Sequence, residues 1–308
     1  MENIVKKKVA AGIVLFNPDA IRLKLCVSSL EEQVDCIIVY DNSSTKIPET
    51  FNCENVIYLT HNKNEGVAYA LNQIFMKGKN LGYEWILTMD QDTVIPKNMI
   101  STYSAYLNQD DIGIICPQNV DKRRAYSHAE DTKEVTSLVE FCITSASCTN
   151  IHVWEKLGGF DNFLFIDFVD NDYCKRLRLL GYKILQCNKV VIDQEFGNIT
   201  PKSQFWVDFY MSLSHFLKNK NIAKLSYKKK VSPMRVYYVH RNLLYLNKKF
   251  KNYGGIGYEN FYCNSFIGFL IYFTLPSFVR GSEKWRIFKA IVKGLYDGNR
   301  SNSKEFKV

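Results

Sequence analysis

The sequence lacks the signatures of several protein classes. Its nine cysteines are an odd number with no Cys-x-x-Cys pair, so we expect reduced, buried thiols in a cytoplasmic protein rather than a disulfide framework. It has no internal repeat and no low-complexity tract. The apolar start of the chain ends in Asn17-Pro18 without a small-x-small cleavage site. This start therefore predicts a first buried strand at Val9–Phe16 rather than a signal peptide.

Long hydrophobic runs are also absent. The most apolar segment, Phe266–Val279, contains Gly268 and Pro276 and falls short of the ~20 apolar residues that a membrane-spanning helix needs. The following segment, Lys284–Lys293, alternates large apolar side chains with lysine and arginine. This pattern is typical of a helix on an anionic membrane surface, and equally of a helix that packs on its own domain with a solvated basic face.

Length and charge narrow the remaining classes. With 308 residues, 46% of them hydrophobic, the chain can hold one large α/β domain with a helical appendage, or two modest domains. The net charge of +9 suits nucleic acid, an anionic membrane surface or small anions such as sugar diphosphates. No nucleic-acid-binding motif occurs, so we expect no nucleic-acid partner.

Short apolar runs alternate with amphipathic segments in the first half of the chain. They predict strands at Val9–Phe16, Cys36–Tyr40, Val56–Leu59, Trp85–Met89 and Ile112–Cys116, and helices at Ile21–Leu30, Val67–Lys77 and Asn98–Leu107. The expected fold is α/β, a largely parallel sheet wrapped by helices. In such sheets ligands bind beyond the carboxyl ends of the strands.

The composition changes after Thr200-Pro201. Long helices rich in aromatic and basic residues are predicted there, at about Phe205–Lys218, Val236–Phe250, Tyr258–Phe278 and Lys284–Tyr296. We therefore expect one domain over residues 1–200 and a helical region over residues 201–308. The helical region is a candidate contact for a membrane surface or for a second copy of the chain.

Two carboxylates, Asp90 and Asp92, follow the fourth predicted strand one residue apart. Carboxylates this close repel each other unless a cation or hydrogen-bond donors compensate. Mg²⁺ or Mn²⁺ on a diphosphate is the natural compensator, because these ions prefer a few carboxylates with phosphate oxygens and water. An Asp-x-Asp alone is also common in plain turns, and only its position at a strand end favours the metal site.

The other strand ends carry groups able to bind a base, a ribose or a phosphate. The candidates there are Phe16, Asn17, Asp41, Asn42, Asn64 and Gly66. Each could be ordinary turn chemistry. Together with Asp90, Gln91 and Asp92 they predict one site along a single edge of the sheet.

A second acidic group, from Asp167 to Asp172, opens a predicted helix. Asp170 lies near the amino end of that helix, where an aspartate caps it and complements its dipole. The helical pattern places Tyr173 and Cys174 on the inner face and Arg176 on the outer face. A purely structural role for Asp170 is therefore available without any catalysis.

Several strings in this order resemble family 2 inverting glycosyltransferases. They are VAAGIVLFNP, YDNSS, NKNEGVAYALNQ and ILTMDQDTVIP, followed by TSASCTN and GGFDNFLFIDFVDNDYCKRLRLLGYKI. The later strings are similar to the bacterial rhamnosyltransferase-like branch, and the resemblance spans about residues 8–250. It implies a GT-A fold with a helical carboxyl-terminal extension, and a catalytic domain over residues 1–200.

The resemblance also implies roles for individual residues. It places the catalytic base at Asp170, with Val169 where many relatives have glutamate, and leaves Asp167 and Asp172 as rivals. Inverting transfer needs such a base to take the proton of the acceptor hydroxyl. A third metal ligand, histidine in relatives, falls on Gln194, a weaker ligand. Glu195 is its alternative.

Two further segments match the family. In Arg235-Val236-Tyr237-Tyr238-Val239-His240-Arg241, the residues implied to close over the diphosphate are Arg235, Tyr238 and Arg241. A basic aromatic helix that covers the sheet or meets lipid is an equal alternative. The acceptor wall is implied at Ser145, Asp161 and Asp167, where a plain strand and turn would also fit.

The resulting expectation is a metal-dependent inverting glycosyltransferase. It would move rhamnose from dTDP-rhamnose to a saccharide or polyprenyl-diphosphate-linked acceptor, in bacterial capsule or cell-wall polysaccharide synthesis on the inner face of the membrane. A UDP-sugar donor of galactofuranose, glucose, galactose or N-acetylhexosamine is the alternative within the class. Two alternatives belong to other functional classes. One is a non-catalytic assembly partner. The other, less favoured, is a glycoside hydrolase, whose two carboxylates should face each other across a sugar cleft.

Overall fold

The computed structural model describes residues 7–43, 55–195, 197 and 199–308. They form two compact units. The first holds the chain up to residue 119, residues 130–192 and Val308, and the second holds residues 120–129 and 193–307. Within the described ranges, no helix combines the length and the apolar content needed to cross a membrane.

Eight strands form the sheet of the first unit. They are β1 (Val9–Leu15), β2 (Ile37–Asp41), β3 (Val56–Thr60), β4 (Trp85–Asp90), β5 (Ile112–Val120), β6 (Thr136–Val139), β7 (Ser147–Asn150) and β8 (Lys183–Asp193). The helices are α1 (Ala20–Glu31), α2 (Val67–Asn80), α3 (Met99–Ser104), α4 (Ile151–Lys156) and α5 (Val169–Leu179). All five strands predicted from the sequence are present.

The strand order is β3-β2-β1-β4-β7-β5-β8-β6. The pairs β3–β2, β2–β1 and β1–β4 are parallel, whereas β7 runs antiparallel between β4 and β5. Nearly all side chains of β1, β2 and β4 are buried, as expected for parallel strands covered on both faces. The predicted α/β fold, a mostly parallel sheet flanked by helices, is confirmed.

Most of the cysteine side chains are buried. The eight cysteines in the described part of the chain are free, and seven of them are buried. Cys142 and Cys174 lie with their sulfur atoms 3.9 Å apart. The hydrogen bond with Cys116 raises the pKa of Cys142, the hydrogen bond with Cys142 raises that of Cys174, and burial raises both well above the ordinary value. Cys53 lies outside the described residues.

The second unit is mainly helical. It contains the antiparallel pair β9 (Ile199–Pro201) and β10 (Tyr227–Lys229) and the helices α6 (Gln204–Phe216), α7 (Lys220–Ala223), α8 (Pro233–Lys249), α9 (Phe266–Phe269), α10 (Leu275–Arg280) and α11 (Lys284–Arg300). Helix α8 packs against α11 at two glycines. A Cβ atom at Gly294 would lie 2.6 Å from the Tyr237 carbonyl oxygen, and one at Gly298 would lie 2.7 Å from that of Arg241.

The long helix predicted over Tyr258–Phe278 is interrupted. Residues 259–261 form a 3₁₀ turn, and α9 begins only after Ser265, whose side chain accepts a hydrogen bond from the backbone N–H of Gly268. A π-helical turn, Leu270–Thr274, joins α9 to α10. The sequence prediction was wrong here because the serine cap and the extra π-helical residue leave no periodic signal.

Candidate active site

The strand register brings the predicted residues to one edge of the sheet. Leu15 lies beside Asp41 of β2, and Val14 lies beside Asp90 of β4. The residues that follow these strands, beginning with Phe16 and Asn42, therefore leave the sheet side by side. Ser44, the last residue of the YDNSS string that follows the second predicted strand, lies outside the described residues.

Asp41 is held rigidly at this edge. Its side chain is buried, with Oδ1 accepting from the Ser43 N–H at 2.7 Å and Oδ2 accepting from the Tyr58 hydroxyl. The Ser43 hydroxyl oxygen in turn accepts from the N–H of Asn17 at 2.7 Å. The ends of β1 and β2 are thus tied together by side chains that a plain turn does not require.

The turn before α2 is built around Gly66. The Asn64 side chain accepts from the Gly66 N–H at 3.0 Å, and the Asn42 amide donates to the Gly66 carbonyl at 3.1 Å. Gly66 has φ +88°, and a Cβ there would lie 2.6 Å from the carbonyl oxygen of Phe165. That oxygen also accepts from the Val67 N–H at 2.7 Å. The segment before Asp170 is therefore anchored to the start of α2.

Gln91 serves as a clamp within the Asp-Gln-Asp turn. Its side-chain oxygen accepts from the Phe16 N–H at 2.8 Å, and its amide donates to the Phe16 carbonyl at 3.3 Å. Asp90 and Asp92 are exposed on either side, and Asp92 lies 3.6 Å from the Arg22 guanidinium. The turn presents two carboxylates at the end of β4 while the residue between them fixes the turn to β1.

The donor set at this turn fits a hard divalent ion that is shared with a phosphate. Two exposed carboxylates on one turn are the kind of ligand that Mg²⁺ and Mn²⁺ take together with phosphate oxygens and water. Among the residues that the structure describes, no group of three or more histidine, cysteine, aspartate or glutamate side chains could hold a metal by itself. A metal at Asp90 and Asp92 would therefore need oxygens from a ligand.

Ser145 lies beneath the same turn. Its hydroxyl is buried, 2.9 Å from the Thr93 hydroxyl, and accepts from the Asp90 N–H at 3.3 Å. This contact positions the Asp-Gln-Asp turn. Asp161 accepts from the N–H of Phe163 at 3.0 Å, which stabilises the loop toward α5. Their assignment to an acceptor wall stays a prediction.

Asp170 lies in the first turn of α5. It follows two residues in the left-handed region, Asp167 with φ 63° and Phe168 with φ 67°. Burial raises the pKa of the Asp170 carboxyl from its ordinary 3.8 to about 7, backbone hydrogen bonds from Asn171 and Asp170 lower it, and the charges of Asp167 and Asp90 raise it further. A carboxyl with this pKa exchanges protons near neutral pH, as a general base requires.

The sequence over these elements matches a known family. Residues 13–188, more than half of the chain, match the profile described as glycosyl transferase family 2. The chain belongs to glycosyl transferase family 2. The predicted membership is therefore confirmed.

A curated relative agrees with the predicted rhamnosyltransferase-like branch. The dTDP-rhamnosyl transferase RfbF of Shigella flexneri is 28% identical over 197 residues, 59% of this chain and 66% of the relative. The chain thus matches just under two thirds of that relative's length.

Two solved structures share the fold of this family 2 chain. GalNAc-T7 with UDP, GalNAc and Mn²⁺ has a TM-score of 0.53 at 13% identity, over 90% of this chain and 58% of its own. The mannosyltransferase PcManGT of Pyrobaculum calidifontis, in complex with GDP-Man and Mn²⁺, has a TM-score of 0.50 at 13% identity, over 98% and 77%. The likeness confirms the predicted GT-A fold.

Of the two rivals to Asp170 in this family 2 chain, Asp172 has a structural role. Its carboxylate is fully buried and lies 2.7 Å from the guanidinium of Arg176, which also donates to the carbonyls of Leu157 and Gly159 at 2.8 Å each. Arg176 is therefore buried, and its expected outward direction was wrong. The Asp-x-x-x-Arg spacing, one helical turn, was the available signal for this pair.

The remaining predicted residues lie in the second unit. Gln194 is buried, and its backbone N–H donates to the Val120 carbonyl at 2.7 Å. Arg235 occupies the first turn of α8. The guanidinium of Arg241 lies 4.7 Å from the ring centre of Tyr238 and donates from Nε to the Asn242 side chain at 2.9 Å. Arg241 and Tyr238 thus form a cation–π pair.

Proposed function

We propose that this chain is an inverting glycosyltransferase that uses a nucleoside-diphosphate sugar. The observation that carries the proposal is the combination, within one unit, of two exposed carboxylates at the end of β4 with Asp170, whose pKa burial raises to about 7 and which lies within electrostatic reach of Asp90. A base and a diphosphate site are the two parts that single-displacement sugar transfer needs. Family membership supports the same activity.

In the proposed mechanism, a carboxylate oxygen of Asp170 takes the proton of the acceptor hydroxyl. The resulting oxygen nucleophile forms a bond to the anomeric carbon, the bond from that carbon to the diphosphate oxygen breaks, and the nucleoside diphosphate leaves from the opposite face. Asp90 and Asp92 would hold Mg²⁺ or Mn²⁺, which would neutralise charge on the diphosphate. No covalent intermediate is needed, because one displacement inverts the anomeric centre.

The donor site is proposed to use the edge of the sheet. Asp41, Asn42 and Asn64 would bind the nucleoside, with Phe16, Asn17 and Gly66 beside them and the Gln91 clamp holding the edge together. We also propose that Arg235, Tyr238 and Arg241 meet the diphosphate and that Gln194 joins the metal shell, roles that rest on the family resemblance. Asp167, Asp161 and Ser145 are assigned to the acceptor side on the same basis.

The proposed donor is dTDP-rhamnose, and the relative from Shigella flexneri is its support. UDP-linked galactofuranose, glucose, galactose and N-acetylhexosamine are the alternative donors. The proposed acceptor is a saccharide or polyprenyl-diphosphate-linked saccharide in the synthesis of capsule or cell-wall polysaccharide. Such an acceptor places the reaction at the cytoplasmic face of the membrane.

Peripheral attachment to an anionic membrane is part of the proposal, and the second unit supplies its support. Four apolar side chains recur every four residues from α9 through the π-helical turn into α10, and all are more than half exposed: Ile267, Ile271, Leu275 and Val279. On α11, Trp285 is 65% exposed and stacks on Phe288, with the Lys289 ammonium 5.2 Å from the Trp285 ring centre. Apolar side chains flanked by cations suit an anionic bilayer surface.

The deciding experiment is release of nucleoside diphosphate with Mg²⁺ or Mn²⁺, screened over dTDP-rhamnose and UDP-sugars against a lipid-linked acceptor pool. We expect one donor to turn over, with release lost in Asp170→Asn and Asp92→Ala and retained in the control Asp110→Asn, an exposed residue at the opposite end of the strands. Absence of both turnover and donor-induced thermal stabilisation would instead favour a non-catalytic assembly partner. Sugar release from an acceptor without a nucleotide would indicate a hydrolase.

A further inference from the structure

Tyr173 carries a buried hydroxyl that the proposed mechanism does not use. The side chain is 1% exposed, and its ring stacks on that of Phe160 with the ring centres 4.5 Å apart. Its hydroxyl has no hydrogen-bond partner on any part of the chain that the structure describes. A buried hydroxyl without a partner costs free energy, so folded proteins generally satisfy such a group with a protein atom or an ordered water.

A small cavity in the first unit joins Tyr173 to Asp170. Both residues line it, and because they lie three residues apart on α5, their side chains leave the same face of the helix. Ser147 and Thr149 of β7 also line the cavity. The Ser147 hydroxyl donates to the Ile143 carbonyl at 2.6 Å, so its oxygen can still accept a hydrogen bond. The cavity wall is therefore polar.

The size of the cavity decides what it can hold. Its volume is ≈ 10 Å³, which is about the least that admits one water and far below the volume that a sugar or nucleotide occupies. A buried water needs two to four polar partners. The Tyr173 hydroxyl can donate to it, while the Asp170 carboxylate and the Ser147 oxygen can accept its two hydrogens.

We propose that one water occupies this cavity, where it accepts a hydrogen bond from the Tyr173 hydroxyl and donates one to the Asp170 carboxylate. Tyr173 is then a positioning residue, because it acts on the base through the water and does not touch the reacting atoms. A hydrogen bond donated to a carboxylate favours its charged form, so the water helps to keep Asp170 ready to accept a proton. This role rests on the proposed function of Asp170, whereas the water site does not.

The titratable groups around Asp170 leave this stabilisation to hydrogen-bond donors. Four such side chains act on the Asp170 carboxylate or line the same cavity: Asp167, Asp90, Cys142 and Cys174. The two carboxylates raise the pKa of Asp170. The two thiols stay neutral near pH 7, since their pKa values lie well above the ordinary value. Farther along α5, the Arg176 guanidinium is paired with Asp172 at 2.7 Å.

The direct test is a crystal structure of the wild-type chain at a resolution that shows ordered waters. We expect one water within about 3.2 Å of both the Tyr173 hydroxyl and an Asp170 carboxylate oxygen. A cavity without a water, in a map that shows waters on neighbouring backbone groups, would overturn the proposal. This measurement needs no activity, so it decides the water site even if no sugar donor turns over.

The positioning role is tested by the pH dependence of kcat/KM in Tyr173→Phe. Because the Asp170 carboxylate loses a stabilising donor, the pH of half-maximal kcat/KM should rise by about one pH unit above that of the wild type. Above about pH 9 the variant should approach wild-type activity, since Asp170 is then ionised in both. A purely structural loss would lower activity at every pH.

Tyr103→Phe is the matched control. Tyr103 is equally buried, but its hydroxyl donates directly to the Ala146 carbonyl at 3.2 Å, so its loss should leave the pH midpoint of kcat/KM unchanged. A Tyr173→Phe midpoint equal to that of the wild type, or an equal rise in both variants, would contradict the role of Tyr173. Absence of turnover in the wild type would instead count against the proposed transfer itself.

Discussion

The two units of the chain use their large side chains in opposite ways. The first buries Trp85, Tyr103 and Phe75 completely, and its exposed groups near the sheet edge are mainly polar. The second contains α6, a helix with no buried residue, in which Phe205 and Phe216 are more than 70% exposed. The contrast agrees with the two proposed roles, a site for a small polar ligand on the first unit and a surface for other molecules on the second.

The largest expected effect is on catalysis in the first unit. Asp170→Asn keeps the shape of the side chain but removes the base, and we expect kcat to fall by about 10²–10⁴-fold. The wild type should lose kcat/KM as the pH falls through about 7, because protonation of Asp170 removes the base. The residual activity of the variant should show no such step. Steady-state assays over a pH series check both, and a variant with wild-type kcat would transfer the role to Asp167.

The same variant has a stability signature. Because the pKa of Asp170 is raised in the folded chain, ionisation opposes folding, and this cost is absent below the ordinary pKa of 3.8 and complete above about pH 7. Asp170→Asn should therefore melt higher than the wild type at about pH 8 and close to it at about pH 4. An unchanged melting temperature at both pH values would contradict the burial of this carboxyl.

Two arginines on α5 allow the contribution of a buried ion pair to stability to be compared with that of an exposed one. Arg176→Met leaves the buried Asp172 carboxylate without its ion pair, and we expect the free energy of unfolding to fall by about 3–5 kcal/mol. The control, Arg178→Met, removes an exposed pair with Glu140 at 2.9 Å and should cost less than about 1 kcal/mol. Urea unfolding measures both. Equal losses would mean that Arg176 is solvated in solution.

Two glycines with similar φ separate backbone conformation from packing. Gly82 has φ +79°, and no atom lies within 4 Å of the position that an added methyl group would take, whereas at Gly66, with φ +88°, the methyl would meet the Phe165 carbonyl. Gly82→Ala should cost about 1–2 kcal/mol and Gly66→Ala about 2–4 kcal/mol. Gly66→Ala should also raise KM for the donor, since it disturbs Asn42 and Asn64. Thermal unfolding and donor saturation curves decide this comparison.

The smallest effect on stability is expected for the exposed apolar residues of the second unit, Ile267, Ile271, Leu275 and Val279. Ile271→Ser should change the free energy of unfolding by no more than about 0.5 kcal/mol, because the side chain is 51% exposed. Its binding to anionic vesicles at low salt should nevertheless fall. Ile21→Ser, at an isoleucine of α1 that is 74% exposed, is the control and should leave vesicle binding unchanged. Co-sedimentation with vesicles measures the binding of both variants. If both bind as the wild type does, the contrast between the units is contradicted.

The local sequence pattern was sufficient to predict the parallel strands of the first unit. The five predicted strands lie within a few residues of β1 to β5, because buried parallel strands read as continuous apolar runs bounded by polar turns. The same pattern placed Asp41, Asp90 and the start of α2 at one edge. It missed the antiparallel insertion of β7, because Ser147–Asn150 is short and polar and its place is set by partners distant in sequence.

The two misses in the first unit, the burial of Arg176 and the contact made by Gln91, share one physical origin. The burial of Arg176 depends on the Leu157 and Gly159 carbonyls, and the clamp by Gln91 depends on the Phe16 backbone, partners that lie 17 to 75 residues away. No local period reports such contacts. The raised pKa of Asp170 is likewise a property of burial, so the sequence could name the residue through family resemblance but could not supply its proton affinity.

Chemical labelling of the buried thiols would report local unfolding of the chain. A thiol reagent attacks only the thiolate, and burial raises the pKa of Cys26 to about 12 while enclosing Cys142, Cys148 and Cys174. In the folded chain these sulfurs should stay unlabelled. The rate at which each becomes modified would therefore measure how often α1, β7 and α5 open individually. Partly exposed Cys263 should be labelled without local unfolding and would serve as the reference.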